Sequence, residues 1–332
     1  MQKIDLKSIK ASSVKSVFRA MVSAEKATRA ELAQATSLSL MTVGKIADSF
    51  TRLGITFEKK EASGAVGRRA SVLRIADLYY GILLDFTADD YVCEIANTAA
   101  GTIDRFSYAH NPEFYEEENL LLFLKNLRLY LNSRYDPEKC IGTGIILPAG
   151  EEKSRLAIAL ATEERELKEA ICTQITNALK EYAPFPIACT LMEAAATYIT
   201  DDHAELTEKI ALYCRITDTV ESALVVSGKI LAGKRGPIGS IRDPEESGSE
   251  PLRADLLAQA IRQAEVTLDP HVILIEAAPS RQRLLLSLQK ELSGTCNGAE
   301  VSYVSGSLHN PRAGLLYRLR DHWIDSIISP EI

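Results

Sequence analysis

The segment ELAQATSLSLMTVGKIADSFTRLGI (31–55), with SGAVGRRASVL (63–73) shortly after it, decides how the amino-terminal part of the chain folds. Just before it, Thr28 and Glu31 have the spacing of a capping box, which predicts a short helix ending near residue 35. Residues 36–38 turn the chain, and Ser39 is placed to cap a further helix that runs to about Leu53. This further helix should bury one apolar face, formed by Val43, Ile46, Ala47 and Phe50. Two short helices joined by a tight turn are typical of a helix-turn-helix.

A supporting helix and a β-hairpin are predicted on either side of these two helices. Residues 12–23 carry an apolar stripe at three- and four-residue spacing, formed by Val14, Val17, Phe18, Met21 and Val22. After Gly54, residues 55–60 alternate like a strand, residues 64–67 supply a turn, and residues 71–75 return as a second strand. A hairpin directly after such a unit is a wing. The sequence therefore predicts a winged helix-turn-helix domain over residues 1–76.

The second helix of a helix-turn-helix enters the major groove of DNA, so its first turns and outer face supply the candidate contacts. Thr42 and Lys45 are the strongest candidates for contact with a base edge or a phosphate. Arg68 and Arg69 follow the flexible Gly67 in the wing, which suits phosphates or a narrow minor groove. The candidate DNA-binding residues are Thr28, Ser39, Leu40, Met41, Thr42, Lys45, Arg68 and Arg69. The alternative interpretation is an ordinary three-helix packing unit with a capping box.

The charge of the chain is divided unevenly along its length. Residues 1–74 hold 14 Lys and Arg against 6 Asp and Glu, a net charge of +8, and the rest holds 24 against 39, a net charge of −15. A basic amino-terminal region gains affinity for DNA through phosphate contacts and counterion release, whereas the acidic remainder is repelled by DNA. The pattern favours double-stranded DNA as the partner of the amino-terminal region.

Neither a membrane nor a metal is an expected partner. No stretch approaches the roughly 18 to 20 consecutive apolar residues of a membrane span, and the first residues lack the apolar core of a signal peptide, so a cytoplasmic protein is expected. The six cysteines stand singly, without the close pairs that bind zinc. They are Cys93, Cys140, Cys172, Cys189, Cys214 and Cys296.

From about residue 79 the sequence alternates between strand and helix patterns. Strands are predicted at 81–86, 91–96, 102–108, 141–147, 209–216, 222–227 and 272–275. Helices are predicted at 118–133, 164–183 and 253–266. This order predicts a mixed α/β body of two similar lobes.

The amino-terminal segments resemble the head of ROK-family regulators, the group that contains the xylose and N-acetylglucosamine repressors. The matching positions are Leu38-Ser39, Thr42-Val43, Leu53-Gly54 and Gly67-Arg68-Arg69. Gly44 departs from the pattern, because a small polar residue is usual there; it marks either a close approach of the backbone to DNA or a weak spot in the helix. The resemblance implies an actin- or hexokinase-like (ribonuclease H-like) body, with lobes at 77–195 and 196–332 and a carboxy-terminal helix that returns to the first lobe.

The same resemblance implies that kinase chemistry has been lost. ROK kinases bind phosphates through an Asp-x-Gly-Gly-Thr loop, which corresponds here to residues 85–89, with both glycines replaced. The second glycine-rich phosphate segment corresponds to residues 217–223, which contain no glycine and two acids. The third corresponds to residues 276–278, where a glutamate and two alanines stand. Bare glycine backbone is what lets amides approach a polyphosphate, so no ATP is expected to bind.

The sugar and zinc sites of the family are also altered. Its Asn-Asp-Ala-Asn segment falls on residues 191–195, where Glu193 replaces the catalytic aspartate only with a one-residue shift. Its Gly-Glu-Ile-Gly-His segment falls on residues 239–243, where Ser240 replaces the glutamate and Asp243 the zinc-binding histidine. The structural zinc is therefore expected to be lost, and neither a cofactor nor a catalytic residue is expected.

The sequence predicts a non-enzymatic regulator, expected to repress, that binds a palindromic operator as a homodimer or tetramer. An effector pocket for a sugar or sugar phosphate is predicted near Pro148, Glu193, Ser240, Arg242 and Asp243, where Arg242 suits an anionic ligand. The same residues have a plainer interpretation, with Glu193 as a solvated helix residue and Arg242 and Asp243 as a loop ion pair. The alternatives are a dimerising regulator without an effector and a sugar kinase with a DNA-binding extension.

Overall fold

The computed structural model describes residues 11–61, 70–87, 90–148, 150–202, 206, 209–217, 219–227, 229–233, 236–241, 250–294, 298–305 and 311–328. The chain divides into two compact units. Unit 1 comprises Met1–Cys189 and Arg318–Ile332, and unit 2 comprises Thr190–Tyr317. The predicted boundary at residue 76 lies inside unit 1, so that boundary stays a prediction.

The amino-terminal part of unit 1 holds three helices and a small antiparallel sheet. The helices are α1 (Ala11–Ala24), α2 (Arg29–Thr36) and α3 (Leu40–Arg52). The strands are β1 (Lys26–Ala27), β2 (Thr56–Glu61) and β3 (Ala70–Ile75), in the order β1-β3-β2. The apolar stripe predicted for α1 is buried, together with the inward face of α3. Ser37 ends α2 in the left-handed conformation, with φ 55°, and so turns the chain toward α3.

The remainder of unit 1 is a five-stranded mixed sheet with helices. The strands are β4 (Tyr80–Asp85), β5 (Tyr91–Asn97), β6 (Thr102–Tyr108), β7 (Cys140–Leu147) and β8 (Pro186–Thr190), in the order β6-β5-β4-β7-β8. The helices are α4 (Glu116–Arg134), α5 (Gly150–Ala159) and α6 (Leu167–Leu179). Strands β4 and β7 are parallel, and all their residues are buried except the half-buried Asp85, as expected for strands covered on both faces.

Unit 2 contains a second five-stranded mixed sheet. Its main strands are β9 (Ile210–Ile216), β10 (Val220–Val226), β14 (Val272–Ala277) and β15 (Glu300–Ser305), with the short β11 (Lys229–Ile230) at one edge and the order β11-β10-β9-β14-β15. A separate two-stranded ribbon joins β12 (Ala232–Gly233) and β13 (Gly236–Pro237). The helices are α7 (Leu191–Asp202), α8 (Glu250–Leu268) and α9 (Gln282–Leu292). The last helix, α10 (Pro311–Ile328), contributes residues 311–317 to unit 2 and the rest to unit 1.

The predicted mixed α/β architecture with two similar sheets agrees with the structure, but one helix was predicted wrongly. Residues 164–183 are not one helix, because Lys180 takes a positive φ of 49° after α6 ends at Leu179, and a 3-10 turn follows. Helices α5, α7 and α9 and strands β8 and β15 were not predicted. No helix in the described ranges combines the length and apolar character needed to cross a membrane.

Candidate nucleic-acid interface

The capping box at the start of α2 forms as the sequence predicts. The amide of Thr28 donates to Glu31 Oε2 at 2.7 Å, and the amide of Glu31 donates to Thr28 Oγ1 at 3.2 Å. The bond from the Thr28 amide lowers the pKa of the Glu31 carboxyl below its ordinary value. Thr28 was also a candidate DNA contact, and its hydroxyl additionally lies 2.9 Å from the Glu31 carboxylate. Its side chain therefore has a structural role at the helix terminus.

Ser39 and Thr42 form a similar cap on α3. Ser39 Oγ accepts the amide of Thr42 at 3.1 Å, and the two hydroxyl oxygens lie 2.9 Å apart. Thr42 is half-buried. The hydroxyl of the strongest predicted base contact is thus already bonded within the helix, whereas Leu40 and Met41 beside it are exposed, at 58% and 74%.

The outer face of α3 is a row of four exposed residues, Met41, Lys45, Asp48 and Arg52, here called the outer stripe. They stand four, three and four positions apart, the spacing of one helix face. The buried face opposite holds Val43, Ile46, Ala47, Ser49 and Phe50. Of the outer stripe, sequence reasoning named Met41 and Lys45 and missed Asp48 and Arg52. Extending the helical period outward from the predicted buried set would have found both.

A network of charged residues crosses from α2 to the hairpin beside the outer stripe. Arg29 Nη2 donates to Asp48 Oδ1 at 2.6 Å and to Glu58 Oε1 at 2.5 Å. Ser71 Oγ donates to the other oxygen of Glu58 at 2.9 Å. The bond from Arg29 is the main cause that lowers the pKa of Glu58. Sequence reasoning missed this network, because its members lie far apart along the chain.

The predicted hairpin is present over its described part. Strand β2 pairs with β3 from Thr56 opposite Ile75 to Glu61 opposite Ala70, and Lys59 and Lys60 are exposed. Strand β1 adds a third strand that the sequence pattern did not predict. The predicted contacts Arg68 and Arg69 lie outside the described residues, so they stay predictions.

The described part of the first altered phosphate segment, residues 85–87, has its own internal bonds. Asp85 Oδ1 accepts the amide of Thr87 at 3.0 Å and its hydroxyl at 2.6 Å. Phe86 is buried, and its ring packs at 5.0 Å from that of Tyr91 and 5.9 Å from that of Phe123. Phe86, at the unspecified second position of the Asp-x-Gly-Gly-Thr pattern, therefore belongs to the core, and Thr87, at the position of the first glycine, bonds back to Asp85.

The other two altered segments also place side chains in the core. The second altered segment includes the start of β10, which pairs with β9 in an antiparallel hairpin, and its residues Val220 and Ala223 are buried. Glu276 at the end of β14 is fully buried, accepts the Tyr213 hydroxyl, and pairs in register with Arg215. Burial and the neighbouring Glu276 raise the pKa of Tyr213 well above its ordinary value. Neither segment offers bare glycine backbone within the described residues.

The predicted effector residues have the following places. Pro148 is buried at the end of β7 in unit 1. In unit 2, Ser240 is exposed and Glu193 lies in the first turn of α7. The Glu193 carboxylate accepts the Thr190 amide at 2.8 Å, and the Glu193 amide donates to Thr190 Oγ1 at 3.2 Å. This pair is a capping box, and its Thr-x-x-Glu spacing was readable in the sequence.

Two further findings bear on ligands of the body. Arg242 and Asp243, the remaining predicted effector residues, lie outside the described part of the chain, so their role stays a prediction. Among the described residues, no group of three or more His, Cys, Asp or Glu side chains is arranged to hold a metal ion.

Comparisons with known proteins give structural matches only. No protein-family model matches the sequence. No curated protein sequence matches it either. A ROK-family transcriptional regulator described as a homolog of the E. coli MLC protein is similar at 14% identity and TM-score 0.60, over 95% of this chain and 99% of that one.

Two further structures match a smaller share of the chain at about the same level of identity. A ROK-family protein from Streptococcus pneumoniae, in complex with sucrose, matches 73% of this chain and 98% of its own, at 12% identity and TM-score 0.51. A putative sugar kinase from Cytophaga hutchinsonii matches the same shares at 10% identity and TM-score 0.50. The regulator alone of these three extends over nearly the whole chain. This protein has the fold of the ROK proteins.

Proposed function

We propose that this protein is a ROK-type DNA-binding transcriptional regulator without kinase activity. Its amino-terminal helices and hairpin are a winged helix-turn-helix, with α3 as the recognition helix and β2–β3 as the wing. The observation that carries the proposal is the outer stripe of α3, which presents Lys45 and Arg52 to solvent on a helix capped by Ser39. A helix of this size with an exposed cationic face fits the major groove.

The likeness to a structure described as a transcriptional regulator over 95% of this chain supports the proposal. The uneven charge supports it independently, because the basic residues concentrate in the segment that carries α3. A kinase is disfavoured by the internally bonded turn at Asp85, because the amide of Thr87, at the position of the first glycine of the phosphate loop, already donates to Asp85 Oδ1.

A selection experiment tests the proposed function directly. Random double-stranded DNA is incubated with the full chain, and the bound fraction is sequenced over several rounds. We expect a palindromic sequence with two half-sites to be enriched, because a dimer reads two half-sites related by its own symmetry. Enrichment no greater than with a protein-free control would reject the proposal.

Substitutions then locate the interface. Lys45→Ala should weaken binding to the selected DNA and reduce the slope of affinity against salt by about one for each phosphate that the lysine neutralises. Lys125→Ala, which removes an exposed lysine from α4, is the matched control and should leave both quantities unchanged. The double variant Arg68→Ala and Arg69→Ala should weaken binding to all DNA if the wing contacts phosphates. Equal effects of Lys45→Ala and Lys125→Ala would remove α3 from the interface.

The body is proposed to carry the oligomer interface and a pocket for a sugar or sugar phosphate effector. The similar Streptococcus pneumoniae protein in complex with sucrose supports a sugar ligand. A thermal-shift panel of sugars, sugar phosphates and sugar acids, repeated with Arg242→Ala, tests the pocket. If no compound raises the melting temperature, the regulator that only dimerises is the better description.

An enzyme is the second candidate, because a putative sugar kinase is among the similar structures. Calorimetric titration with ATP and magnesium separates the two. We expect no saturable heat, because the three altered segments offer no glycine-lined phosphate cradle. Saturable nucleotide binding together with phosphorylation of a sugar would establish the kinase instead.

A further inference from the structure

Gly44 leaves a gap on the surface of α3, and Arg29 of the preceding helix fills it. A β-carbon built on Gly44 has Arg29 Nη1 as its nearest neighbour, at 3.8 Å. Asp48, one turn further along α3, binds the same guanidinium through Nη2. The guanidinium therefore lies over the helix surface where the side chain of residue 44 would otherwise be.

Carboxylates from two other elements hold the Arg29 guanidinium in place. Asp48 belongs to the recognition helix and Glu58 to the hairpin, and both accept hydrogen bonds from Arg29 Nη2. Among the described residues, neither carboxylate takes a bond from Nη1. Two carboxylates thus order a flexible side chain in advance, which lowers the conformational entropy that binding would otherwise cost.

We propose that Arg29 acts as a base-reading residue of the recognition surface, contacting the edge of a guanine through Nη1 in place of a side chain at position 44. This inference rests on the proposed function. Guanine is the base that suits an arginine best, because its N7 and O6 are adjacent acceptors in the major groove.

The charge of the cluster favours a base over a phosphate. One guanidinium and two carboxylates give Arg29, Asp48 and Glu58 a net charge of −1, which repels a phosphate. The acceptors of guanine carry only partial negative charge, so the same carboxylates oppose that contact much less than they oppose a phosphate, while fixing its direction. The side chains are also within reach of a ligand, since those of Arg29 and Asp48 are 36% and 57% exposed.

The test uses the DNA selected by the wild-type chain and a panel of single base-pair replacements in each half-site. Arg29→Met keeps the aliphatic stem and removes the guanidinium. We expect Arg29→Met to bind the selected DNA roughly ten- to a hundred-fold more weakly and to lose discrimination at one G·C pair of each half-site. Discrimination at the other positions and the slope of affinity against salt should stay as in the wild type.

Two controls distinguish base reading by Arg29 from a purely structural role of its hydrogen bonds. Asp48→Asn keeps a hydrogen-bond acceptor for Arg29 and should retain the preference for that G·C pair, with weaker discrimination. Thermal unfolding of each variant shows whether the fold persists. Uniform loss of affinity across all sequences with a shallower salt slope would identify a phosphate contact and overturn the proposal. Unchanged discrimination in a folded Arg29→Met variant would overturn it as well.

Failure of this inference is distinguishable from failure of the proposed function. If the wild-type chain selects no DNA sequence, the proposed function fails and Arg29 has nothing to read. If the wild type selects an operator and Arg29→Met retains its full base preference, the regulator stands and only the role of Arg29 is rejected.

Discussion

The guanidinium carbon of Arg320 lies 5.5 Å from the centre of the Phe18 ring, so α10 packs against α1. Both side chains are buried, with Arg320 only 1% exposed, and Arg320 Nη1 donates to the Thr98 carbonyl oxygen at 3.3 Å. The Trp323 ring packs against Phe18 on the same side, at 6.4 Å between centres. The first and last helices of the chain therefore share one core.

Replacing Arg320 with alanine should lower the free energy of unfolding of unit 1 by about 2–4 kcal/mol, because the substitution removes a desolvated cation–π interaction together with its packing. Arg19→Ala is the matched control. It removes an exposed pair to Asp321, 2.7 Å long, in the same helix interface and should cost less than about 1 kcal/mol. Chemical unfolding measures both, and equal losses would contradict the assignment of Arg320 to the core.

Gly44→Ala should stabilise the chain, by about 0.5–1 kcal/mol, because glycine inside a helix is less favourable than alanine. The nearest atom to the new β-carbon would be Arg29 Nη1 at 3.8 Å, an ordinary contact, so nothing needs to move. A higher melting temperature with unchanged DNA affinity would mean that the glycine is a weak spot. A loss of affinity in the stabilised variant would instead indicate close approach of DNA to the backbone at this position.

Gly314→Ala should have the opposite effect, although it too replaces a helical glycine. In unit 2 a β-carbon at this position would lie 1.9 Å from the Ala194 carbonyl oxygen, so α7 and α10 would have to separate. We expect a loss of roughly 2–4 kcal/mol. Hydrogen exchange should show faster exchange in both helices, and the stacked rings of Tyr198 and Tyr317 should lose near-ultraviolet dichroism. A variant as stable as the wild type would contradict the described helix packing.

The stability of unit 1 should fall in acid partly through Asp104. The Tyr130 hydroxyl donates to this carboxylate and is the main cause that lowers its pKa below the ordinary value of 3.8, with Tyr135 and Arg134 adding to the effect. A carboxyl whose folded pKa is lowered stabilises the fold above its unfolded pKa, and this contribution disappears as the pH falls through the folded pKa.

Asp104→Asn should therefore lower stability at pH 7 and flatten the loss of stability below about pH 4. Urea unfolding at pH 7 and at pH 3 measures the difference between variant and wild type. If the wild type and Asp104→Asn lose the same stability over this interval, Asp104 is not linked to the acid response.

The sequence predicted best what depends on neighbours along the chain. The caps at Thr28 and Ser39 each involve a partner three residues away, so their spacing was visible in the letters alone. The ion pair between Lys15 and Asp325 joins residues 310 positions apart, so no local sequence pattern could predict it. Lys180 takes a positive φ without the glycine or asparagine that usually marks one, which is why a single helix was predicted across it.

The candidate interface was predicted by position more accurately than by role. Lys45 and Met41 lie on the exposed face of α3 as a helical period requires, whereas the Thr42 hydroxyl is bonded to the cap. Arg29 could not be placed at the interface from the sequence, because its partners Asp48 and Glu58 are 19 and 29 residues away and belong to other elements.

Thr87 ties the altered turn to the end of β4 through its side chain. Its hydroxyl donates to Asp85 Oδ1 at 2.6 Å, and its amide donates to the same oxygen at 3.0 Å. A glycine at position 87, where the Asp-x-Gly-Gly-Thr loop carries the first of its two glycines, would keep the amide bond and lose the hydroxyl bond. Recovering the sequence of a phosphate loop would therefore cost the turn one of its hydrogen bonds, about 0.5–1.5 kcal/mol.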